Sequence, residues 1–323
     1  MIKKTPLISV VTPSYNQAAF LERTMRSVLG QGYPTLEYIV VDGGSTDGSR
    51  DIIQKFAGQL KWWVSEKDLG QADAINKGLA HADGEIIAWL NSDDFYLKGT
   101  LNRVAKVFAA NPDCGLVYGD VLAVDGQEVP INLNRYGEWQ FSDLARFQII
   151  GQPAVFMRRD ALQKAGWLLD TRFHYLLDHQ LWLRISRNSR MVHIPALLAA
   201  ARYHEDAKNL ALPAEFGKDA YVVVEWMKED PVFKDHYYSD RRRITAALHW
   251  FNARYVAVGG VPREALKSYF RSLLLDPEFV LRDWKRFLAT VLEFAGIKGM
   301  YALYAKKRQQ ALLVKLDQDI LNL

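Results

Sequence analysis

The chain has 323 residues, of which 49% are hydrophobic and 24% charged, and its formal net charge is +4. These values are ordinary for a folded globular protein and exclude a disordered or collagen-like chain. The single cysteine, Cys114, excludes an internal disulfide framework and favours a reducing compartment, the cytoplasm. No apolar stretch is long enough to span a membrane, and the N-terminus leads directly into a strand pattern, so we expect no signal peptide.

The first half of the chain alternates strand and helix patterns. Short β-branched and apolar runs predict strands at Ile8–Thr12, Tyr38–Val41, Trp62–Val64 and Glu85–Leu90. Apolar residues at helical spacing predict helices at 17–29, around Ile52, Ile53 and Phe56, at Gln71–His81 and at Leu97–Ala110. Ser45 or Thr46 can cap the second of these helices. Strands separated by helices indicate βαβ units and a parallel sheet.

From about residue 112 the pattern loosens. Short strands are predicted at Leu116–Tyr118, Val121–Val124, Ala154–Met157 and Leu197–Tyr203, with a helix at Gln180–Arg187 and an irregular stretch at Ile131–Gln148. Beyond residue 205 the pattern is purely helical, at Pro213–Met227, Arg241–Val258, Pro262–Leu275 and Pro277–Phe294. The sequence therefore predicts an α/β domain at 1–205 and a helical C-terminal extension at 206–323.

Polar residues follow the fourth predicted strand at the point where it ends. Asn91, Ser92, Asp93 and Asp94 come directly after the apolar run. Ligands of open α/β sheets bind at this carboxyl edge. Two carboxylates and an amide repel one another there unless a hard cation or a set of donors lies between them. The pattern indicates a metal–diphosphate site, and a turn with an Asp capping the next helix is the alternative.

Two other strand ends carry polar loops and point to the same edge. Thr12–Asn16 follows the first strand, and Asp42–Gly48 follows the second. A carboxylate at the tip of the second strand can accept a hydrogen bond from a base N–H, and the glycines allow a ligand to approach the backbone. Neither G-x-G-x-x-G nor G-x-x-x-x-G-K-[ST] occurs, which argues against a dinucleotide or P-loop site.

Four motifs in order carry a family resemblance. They are SVVTPSYN at 9–16, VVDGGSTDGS at 40–49, DLGQADAINKG at 68–78 and LNSDD at 90–94. Together they resemble the family 2 inverting nucleotide-sugar glycosyltransferases, over roughly residues 6–205. The resemblance implies the GT-A fold, a Rossmann-like, mainly parallel sheet flanked by helices, here with an α-helical C-terminal appendage.

The resemblance also implies how the donor nucleotide is bound. The residues that match the family's nucleotide-binding positions are Thr12, Pro13, Tyr15, Asp42, Asp68 and Ser92. Asp42 would bind the base, the loop from Thr12 to Tyr15 would line the base and ribose, and Asp68 matches an acidic residue near them.

The resemblance further implies a divalent metal, Mn²⁺ or Mg²⁺, that bridges the diphosphate. Asp93 matches the metal-binding Asp, and Asp94 would contact the donor sugar hydroxyls. Asn91 replaces the usual first Asp; its carbonyl can still ligate, but one charge is lost. His204 matches a late histidine that ligates the metal or contacts phosphate, and a structural role is its alternative.

Inversion requires a base on the face of the donor sugar opposite the leaving diphosphate. The family carries this carboxylate ahead of a helix of L-W-L-R type, which Leu177–Arg184 resembles. The resemblance thus makes Asp178 the catalytic base; an N-cap of a helix at 179–188 is the alternative. Gly151–Pro153 either lines the acceptor pocket or is a plain turn.

The C-terminal part is basic. Residues 241–323 hold 15 Lys and Arg against 7 Asp and Glu, whereas the rest holds 26 against 30. Basic residues such as Lys285 and Lys298 interleave with aromatic ones such as Trp284 and Phe287. The pattern suits an amphipathic helix on an anionic inner membrane, an ordinary docking helix or a homodimer interface. We expect no nucleic-acid partner, because no nucleic-acid-binding fold is recognisable.

The sequence therefore predicts a metal-dependent, inverting glycosyltransferase of hexosyltransferase type. It would move a sugar from a nucleotide-diphosphate sugar, with UDP favoured, to a saccharide or lipid-linked acceptor in surface polysaccharide assembly. The Gln-x-x-Arg-Trp motif of processive synthases is absent, so we expect a non-processive enzyme. The expected location is the cytoplasm, peripherally at the inner face of the membrane. A non-catalytic nucleotide-sugar-binding or scaffolding protein is the alternative, favoured by Asn91.

Overall fold

The computed structural model describes residues 5–204 and 213–313. Its first part alternates strands and helices: β1 (Ile8–Ser14), α1 (Ala18–Leu29), β2 (Leu36–Asp42), α2 (Ser49–Phe56), β3 (Trp62–Ser65), α3 (Gln71–Leu79), β4 (Ile86–Trp89), β5 (Phe95–Tyr96) and α4 (Thr100–Ala110). β1 is buried along its whole length, as expected of a central parallel strand with a continuous apolar run.

The predicted parallel βαβ arrangement is confirmed. β1 pairs in parallel with β2 and β4, and β3 extends the sheet in parallel from β2. α3 approaches β1 closely, since a Cβ on Gly78 would lie only 2.3 Å from Val11 Cγ1. Because parallel strands run in one direction, the loops after β1, β2 and β4 leave the sheet at the same edge.

The second part adds β6 (Cys114–Asp125), β7 (Pro130–Asn134), α5 (Phe141–Ala145), β8 (Val155–Arg158), α6 (Arg159–Lys164), α7 (Leu177–Asn188) and β9 (Arg190–Tyr203). The strand order is β3-β2-β1-β4-β8-β6-β9-β5, with β7 paired to β6. β8 is antiparallel to both β4 and β6, whereas β9 is parallel to β6. The sheet is therefore parallel in its first half and mixed in its second.

Several predicted boundaries were wrong. The two short strands predicted between 116 and 124 form one strand, β6. Register shifts around Gly119 and Asp120 interrupt its apolar alternation, which is why the sequence pattern indicated two strands. The stretch predicted as irregular contains β7 and α5. α2 starts at Ser49 after the left-handed Gly48, so neither Ser45 nor Thr46 caps it.

The C-terminal part is helical, as predicted, with α8 (Pro213–Glu229), α9 (Lys234–Ser239), α10 (Arg241–Val258), α11 (Pro262–Leu275), α12 (Glu278–Arg282), α13 (Trp284–Phe294) and α14 (Met300–Leu313). The single helix predicted over 277–294 is broken at Asp283. Phe251 of α10 is fully buried, and its ring lies 5.2 Å from that of Phe147. These helices thus pack on the sheet domain. No helix within 5–204 or 213–313 is long and apolar enough to cross a membrane.

Candidate active site

Two loops at the carboxyl edge of the sheet are tied together by hydrogen bonds. The Asn16 N–H donates to Ser45 Oγ at 2.7 Å, and the Thr46 N–H donates to Asn16 Oδ1 at 3.0 Å. The Ala18 N–H at the start of α1 donates to Asp47 Oδ2 at 2.8 Å, and this carboxylate lies where the helix dipole favours negative charge. The loops after β1 and β2 therefore form one fixed rim.

Asp42, the residue predicted to bind the base, is fully buried at the end of β2. Its carboxylate accepts hydrogen bonds from the Ser45 N–H and hydroxyl, at 3.0 and 2.5 Å, and from the Ser65 hydroxyl at 2.7 Å. Thr12 is also buried, inside β1, and its Oγ1 accepts a hydrogen bond from the Tyr38 hydroxyl at 3.0 Å. Both side chains support the rim from beneath rather than lining its outer surface.

Tyr15 and Asp68 meet over Gly43, the residue after β2. Tyr15 is 61% exposed, whereas Pro13 is buried within β1. A Cβ on Gly43 would lie 2.6 Å from Asp68 Oδ2 and 3.3 Å from Tyr15 Cδ2, so the missing side chain permits this approach. The Gly70 N–H donates to Asp68 Oδ1 at 2.8 Å. The exposed Tyr15 ring can stack on a planar base, and the Asp68 carboxylate beside it can accept a hydrogen bond from a base N–H.

The turn after β4 is held from two sides. The Thr24 hydroxyl of α1 lies 2.9 Å from the carbonyl oxygen of Ser92 and 2.6 Å from that of Asp94. From β9, the Arg202 guanidinium donates to the carbonyl oxygen of Asp93 at 2.5 Å. The backbone of the turn is thereby fixed, so the direction of its carboxylates is preorganised.

Arg202 is itself deeply buried, with 2% of its side chain exposed. Its guanidinium donates to Glu128 Oε1 at 2.7 Å. Its Cζ lies 4.6 Å from the ring centroid of Phe20 and 5.3 Å from that of Phe95. Arg202 thus joins the hairpin between β6 and β7 to the turn after β4 through a paired charge between two aromatic rings.

The two adjacent carboxylates of the turn have different surroundings. Asp94 is buried, and its Oδ1 accepts a hydrogen bond from the backbone N–H of Arg202 at 2.9 Å. Burial, and secondarily the charge of Asp93, holds the pKa of Asp94 well above its ordinary value. Asp93 is partly exposed, and its Oδ2 lies 3.2 Å from His204 Nε2. The structure therefore brings two of the predicted metal-site residues together.

A cleft of about 380 Å³ opens beside this pair. It is lined by residues of the rim, of α1, of the β6–β7 hairpin and of the end of β9: Asn16, Gln17, Ala19, Phe20, Asp47, Gly126, Gln127 and His204. The His204 ring lies 4.6 Å from that of Phe20, which fixes its orientation. The cleft is open to solvent and large enough for part of a polar ligand.

Asp93 and His204 offer a carboxylate oxygen and an imidazole nitrogen, ligands that suit Mn²⁺ or Mg²⁺. Neighbouring ligands of an octahedral ion at about 2.1 Å are separated by about 3 Å, close to the observed 3.2 Å. Asn91 faces another partner, because Gln71 Nε2 donates to its Oδ1 at 2.8 Å. Among the described residues no group of three His, Cys, Asp or Glu could hold a metal alone. The pair fits a metal whose other ligands are phosphate oxygens.

Asp178 lies in the first turn of α7, where the helix begins one residue earlier at Leu177. Its Oδ1 accepts a hydrogen bond from the His179 N–H at 2.7 Å. One turn further along the same face, the Trp182 ring stacks at 5.0 Å on that of Trp89, the last residue of β4. This stack places α7 against the strand that leads into the Asp93 turn. Asp178 is partly exposed.

Two tyrosines from distant segments lie near Asp178. Burial raises the pKa of Tyr255, on α10, to about 12, and the charge of Asp178 adds to this shift. The pKa of Tyr136 is also raised, chiefly by burial and in part by Tyr203 and Asp178. The Tyr255 ring stacks on Phe216 of α8 at 5.1 Å. Partly exposed rings of this kind can pack against the apolar faces of a sugar.

The segment 151–153 lies between the end of β4 and Tyr136. Gln152 Nε2 donates to the Trp89 carbonyl oxygen at 2.8 Å. A Cβ on Gly151 would lie 2.5 Å from the Tyr136 hydroxyl. The segment forms a short 3-10 turn that leads into β8.

Sequence reasoning missed the residues that hold the site from outside the motifs. Thr24 and Tyr255 carry no recognisable signal, because each lies on a helix among residues of ordinary helical pattern. Arg202 could have been found, since it is a single cation within an apolar strand pattern and must be paired if buried.

The fold matches the GT-A fold of solved glycosyltransferase structures. The structure superposes on Staphylococcus aureus TarS 1-349 in complex with UDP-GlcNAc with a TM-score of 0.58 and 16% identity, over 90% of this chain and 92% of that one. It superposes on the mannosyltransferase PcManGT from Pyrobaculum calidifontis, in complex with GDP-Man and Mn²⁺, with a TM-score of 0.57 and 21% identity, over 90% and 86%. The GT-A fold with a helical C-terminal part is thus confirmed.

Sequence similarity identifies the family. Residues 9–165 match the family described as "Glycosyl transferase family 2". The chain is 31% identical over 219 residues to the PGL/p-HBAD biosynthesis glycosyltransferase of Mycobacterium bovis, covering 66% of this chain and 83% of that protein. The chain therefore belongs to glycosyl transferase family 2, as the four motifs predicted.

Other relatives match over a shorter part. A putative teichuronic acid biosynthesis glycosyltransferase, TuaG of Bacillus subtilis, is 34% identical over 160 residues, or 48% of this chain and 63% of that protein. An uncharacterized glycosyltransferase of Nostoc is 35% identical over 128 residues, or 39% of each chain. The chain thus spans less than two thirds of these two relatives.

Proposed function

We propose that the protein is a metal-dependent, inverting and non-processive glycosyltransferase. It transfers a hexose from a nucleotide-diphosphate sugar, preferentially a UDP-sugar, to a saccharide or lipid-linked acceptor in surface polysaccharide assembly in the cytoplasm. The observation that carries the proposal is the Asp93–His204 pair, at 3.2 Å, beside a cleft at the carboxyl edge of the parallel strands. Family membership supports it, as do two relatives named for teichuronic acid and PGL/p-HBAD biosynthesis.

The donor nucleotide is proposed to bind along the rim. Its base would stack on the exposed ring of Tyr15 and donate an N–H hydrogen bond to Asp68, which lies beside that ring over Gly43. Asp42 acts from beneath, because its hydrogen bonds to Ser45 fix the loop that the base contacts. The preorganised loops reduce the entropy lost on binding.

Asp93 and His204 would hold the divalent metal, with Asn91 and Ser92 in the same turn. When bound, the metal neutralises the charge that develops on the departing diphosphate. Asp94 fixes the turn through the Arg202 N–H. A sugar hydroxyl can hydrogen-bond to this carboxyl group whether it is ionised or protonated, because a protonated carboxyl both donates and accepts.

Asp178 is proposed to be the base. Its carboxylate takes the proton of the acceptor hydroxyl while that oxygen forms a bond to the anomeric carbon. The bond from the anomeric carbon to the diphosphate oxygen breaks, and its electron pair leaves with the diphosphate. Attack from the face opposite the leaving group inverts the configuration. The His179 N–H, at 2.7 Å from Asp178 Oδ1, orients the carboxylate for this transfer.

The test is a screen of nucleotide sugars with Mn²⁺ and a panel of saccharide and lipid-linked acceptors, followed by nucleotide release. Asp178→Asn should bind the donor as the wild type does but lose at least 99% of transfer, since base catalysis contributes about 10²–10⁴-fold. Asp160→Asn is the matched control: Asp160 also accepts a hydrogen bond from the next backbone N–H, at 2.8 Å, but on α6. It should transfer normally.

Three outcomes would contradict parts of the proposal. If no nucleotide sugar binds, the proposal that the donor is a nucleotide-diphosphate sugar is wrong. Donor binding without turnover would favour the non-catalytic nucleotide-sugar-binding alternative. Wild-type transfer by Asp178→Asn would show that another group is the base.

A further inference from the structure

Exposed apolar side chains are concentrated near the C-terminus. The described residues hold 17 exposed large hydrophobic side chains, and ten of them lie between Val258 and Leu303. Single exposed hydrophobic residues need no explanation, but a contiguous set marks a contact surface. The concentration of these side chains therefore indicates that this surface binds a partner.

Five of these side chains form what we call the apolar ridge: Phe270, Leu274, Leu281, Trp284 and Leu288. They are 54%, 85%, 64%, 52% and 45% exposed. Positions 270 and 274 share one face of α11, and positions 284 and 288 share one face of α13, by their helical spacing. The opposite face of α13 is buried at Ala289 and Thr290. α13 thus turns an apolar face outward.

Cations flank the ridge. Arg271 lies between the two ridge residues of α11, and Lys285 follows Trp284, with its Nζ 5.8 Å from the centre of that ring. In 5–204 and 213–313, neither Arg271 nor Lys285 pairs with a carboxylate, and the same holds for Lys298. These charges are therefore available to an external anion.

The nearby carboxylates are already neutralised within the protein. Asp276 pairs with Arg243 at 3.1 Å, and Glu278 pairs both with Arg243, at 2.6 Å, and with Arg282. Asp283 pairs with Arg286 at 3.2 Å and with Arg254 at 3.5 Å. The surface around the ridge is consequently positive as well as apolar.

We propose that the apolar ridge and its flanking cations bind the surface of an anionic lipid bilayer. Apolar side chains that include a Trp, combined with Arg and Lys, are the composition of surfaces that lie in the headgroup region of such membranes. A symmetric dimer through this face would bring together two copies of the same positively charged surface, and this like charge would oppose association. The positive charge therefore favours anionic lipid over a second copy of the chain.

Vesicle co-sedimentation tests the proposal with the full-length protein and without donor or acceptor. Its failure is thus separate from failure of the proposed transferase activity. The wild type should bind vesicles of equal parts phosphatidylcholine and phosphatidylglycerol, bind pure phosphatidylcholine weakly, and be released by salt. Leu281→Asp with Trp284→Asp should weaken binding at least about tenfold. Arg271→Glu with Lys285→Glu should weaken it at least about twentyfold, since each cation contributes about fivefold.

Val222→Asp with Val232→Asp is the matched control, because both valines are similarly exposed, 44% and 52%, outside the ridge. It should bind like the wild type, and all variants should keep the wild-type unfolding temperature. Absence of wild-type binding to the anionic vesicles, or equal weakening by the control, would overturn the proposal. So would sedimentation velocity showing a wild-type dimer that Leu281→Asp with Trp284→Asp dissociates while vesicle binding stays unchanged.

Discussion

The proposed donor side of the site, formed by the loops after β1, β2 and β4, and the proposed acceptor side around Asp178 are built in different ways. On the donor side, each key carboxylate is held by polar groups: Asp42 by Ser45 and Ser65, and Asp94 by the Arg202 N–H. Near Asp178, by contrast, lie two tyrosines from separate segments of the chain, Tyr136 and Tyr255, whose pKa values its charge helps to raise. The first side is fixed by directional hydrogen bonds, and the second by packing.

This difference has an energetic consequence. A buried polar network is costly to break, because the remaining partners keep their desolvation cost without compensation. A partly exposed aromatic surface loses mainly the contacts that are removed, because solvent can fill the space that a smaller side chain leaves. The donor side should therefore be sensitive to single substitutions and suit an invariant nucleotide, whereas the Asp178 side can vary with the acceptor.

The largest effect is expected at Arg202. Arg202→Met removes two charge-assisted hydrogen bonds, to the Asp93 carbonyl oxygen and to Glu128. Each contributes about 1.5–3 kcal/mol, so we expect the free energy of unfolding to fall by about 3–5 kcal/mol. Urea denaturation measures this directly. Nucleotide-sugar affinity should fall as well, because the turn after β4 loses one of its two supports.

Arg23→Met is the control, since Arg23 pairs with the same Glu128 carboxylate at 3.2 Å but is 37% exposed. An exposed pair contributes little, so a loss below about 1 kcal/mol is expected. Equal losses for Arg23 and Arg202 would show that burial does not govern the network.

A second effect concerns pH and His179, next to the base. Burial lowers the pKa of the His179 imidazole to about 4 from 6.5. Between these values the unfolded chain binds a proton that the folded chain does not, so stability is full above pH 6.5 and falls as the pH approaches 4. The loss amounts to about 3 kcal/mol at 1.36 kcal/mol per pKa unit.

His179→Leu should flatten this part of the stability–pH profile, measured by denaturation at pH 7.5 and pH 4.5. The lowered pKa values of His236 and His249 leave a smaller residual slope. An unchanged slope in the variant would mean that His179 titrates normally in the folded protein.

The same contrast explains how far the sequence predicted the structure. The strands and loops of the donor side lie in short contiguous motifs, so 40–49 and 90–94 predicted both the fold and which loops meet. The motifs did not reveal that Thr12 and Asp42 are buried, because burial depends on what packs over them. Tyr255 could not be predicted, since it reaches Asp178 only through the packing of α10, some 75 residues further along the chain.

The metal pair gives a third prediction. Asp93→Asn and His204→Gln should each lower Mn²⁺-dependent UDP-sugar affinity by about ten- to hundredfold, or about 1.4–2.7 kcal/mol. Calorimetry in Mn²⁺ and in EDTA separates the metal-dependent part of the UDP-sugar affinity. Replacing Mn²⁺ by EDTA should weaken binding by the wild type and change binding by the two variants much less. Asn91→Asp should strengthen Mn²⁺ binding by adding a charge. Variants that retain the full Mn²⁺ effect would exclude the pair as ligands.

The smallest expected effect lies on the Asp178 side, at Tyr255. Tyr255→Phe keeps the ring that stacks on Phe216 and removes only the hydroxyl. We therefore expect the acceptor to lose the free energy of one hydrogen bond, about 0.5–1.5 kcal/mol. If the helical extension contributes to acceptor binding, this loss should raise the acceptor KM about three- to tenfold and leave the nucleotide-sugar Kd unchanged. Tyr255→Ala, which also removes the ring, should raise it further. A change in donor affinity instead would place Tyr255 on the donor side, and the division between a polar donor side and an aromatic acceptor side would then fail at the helix that supplies Tyr255.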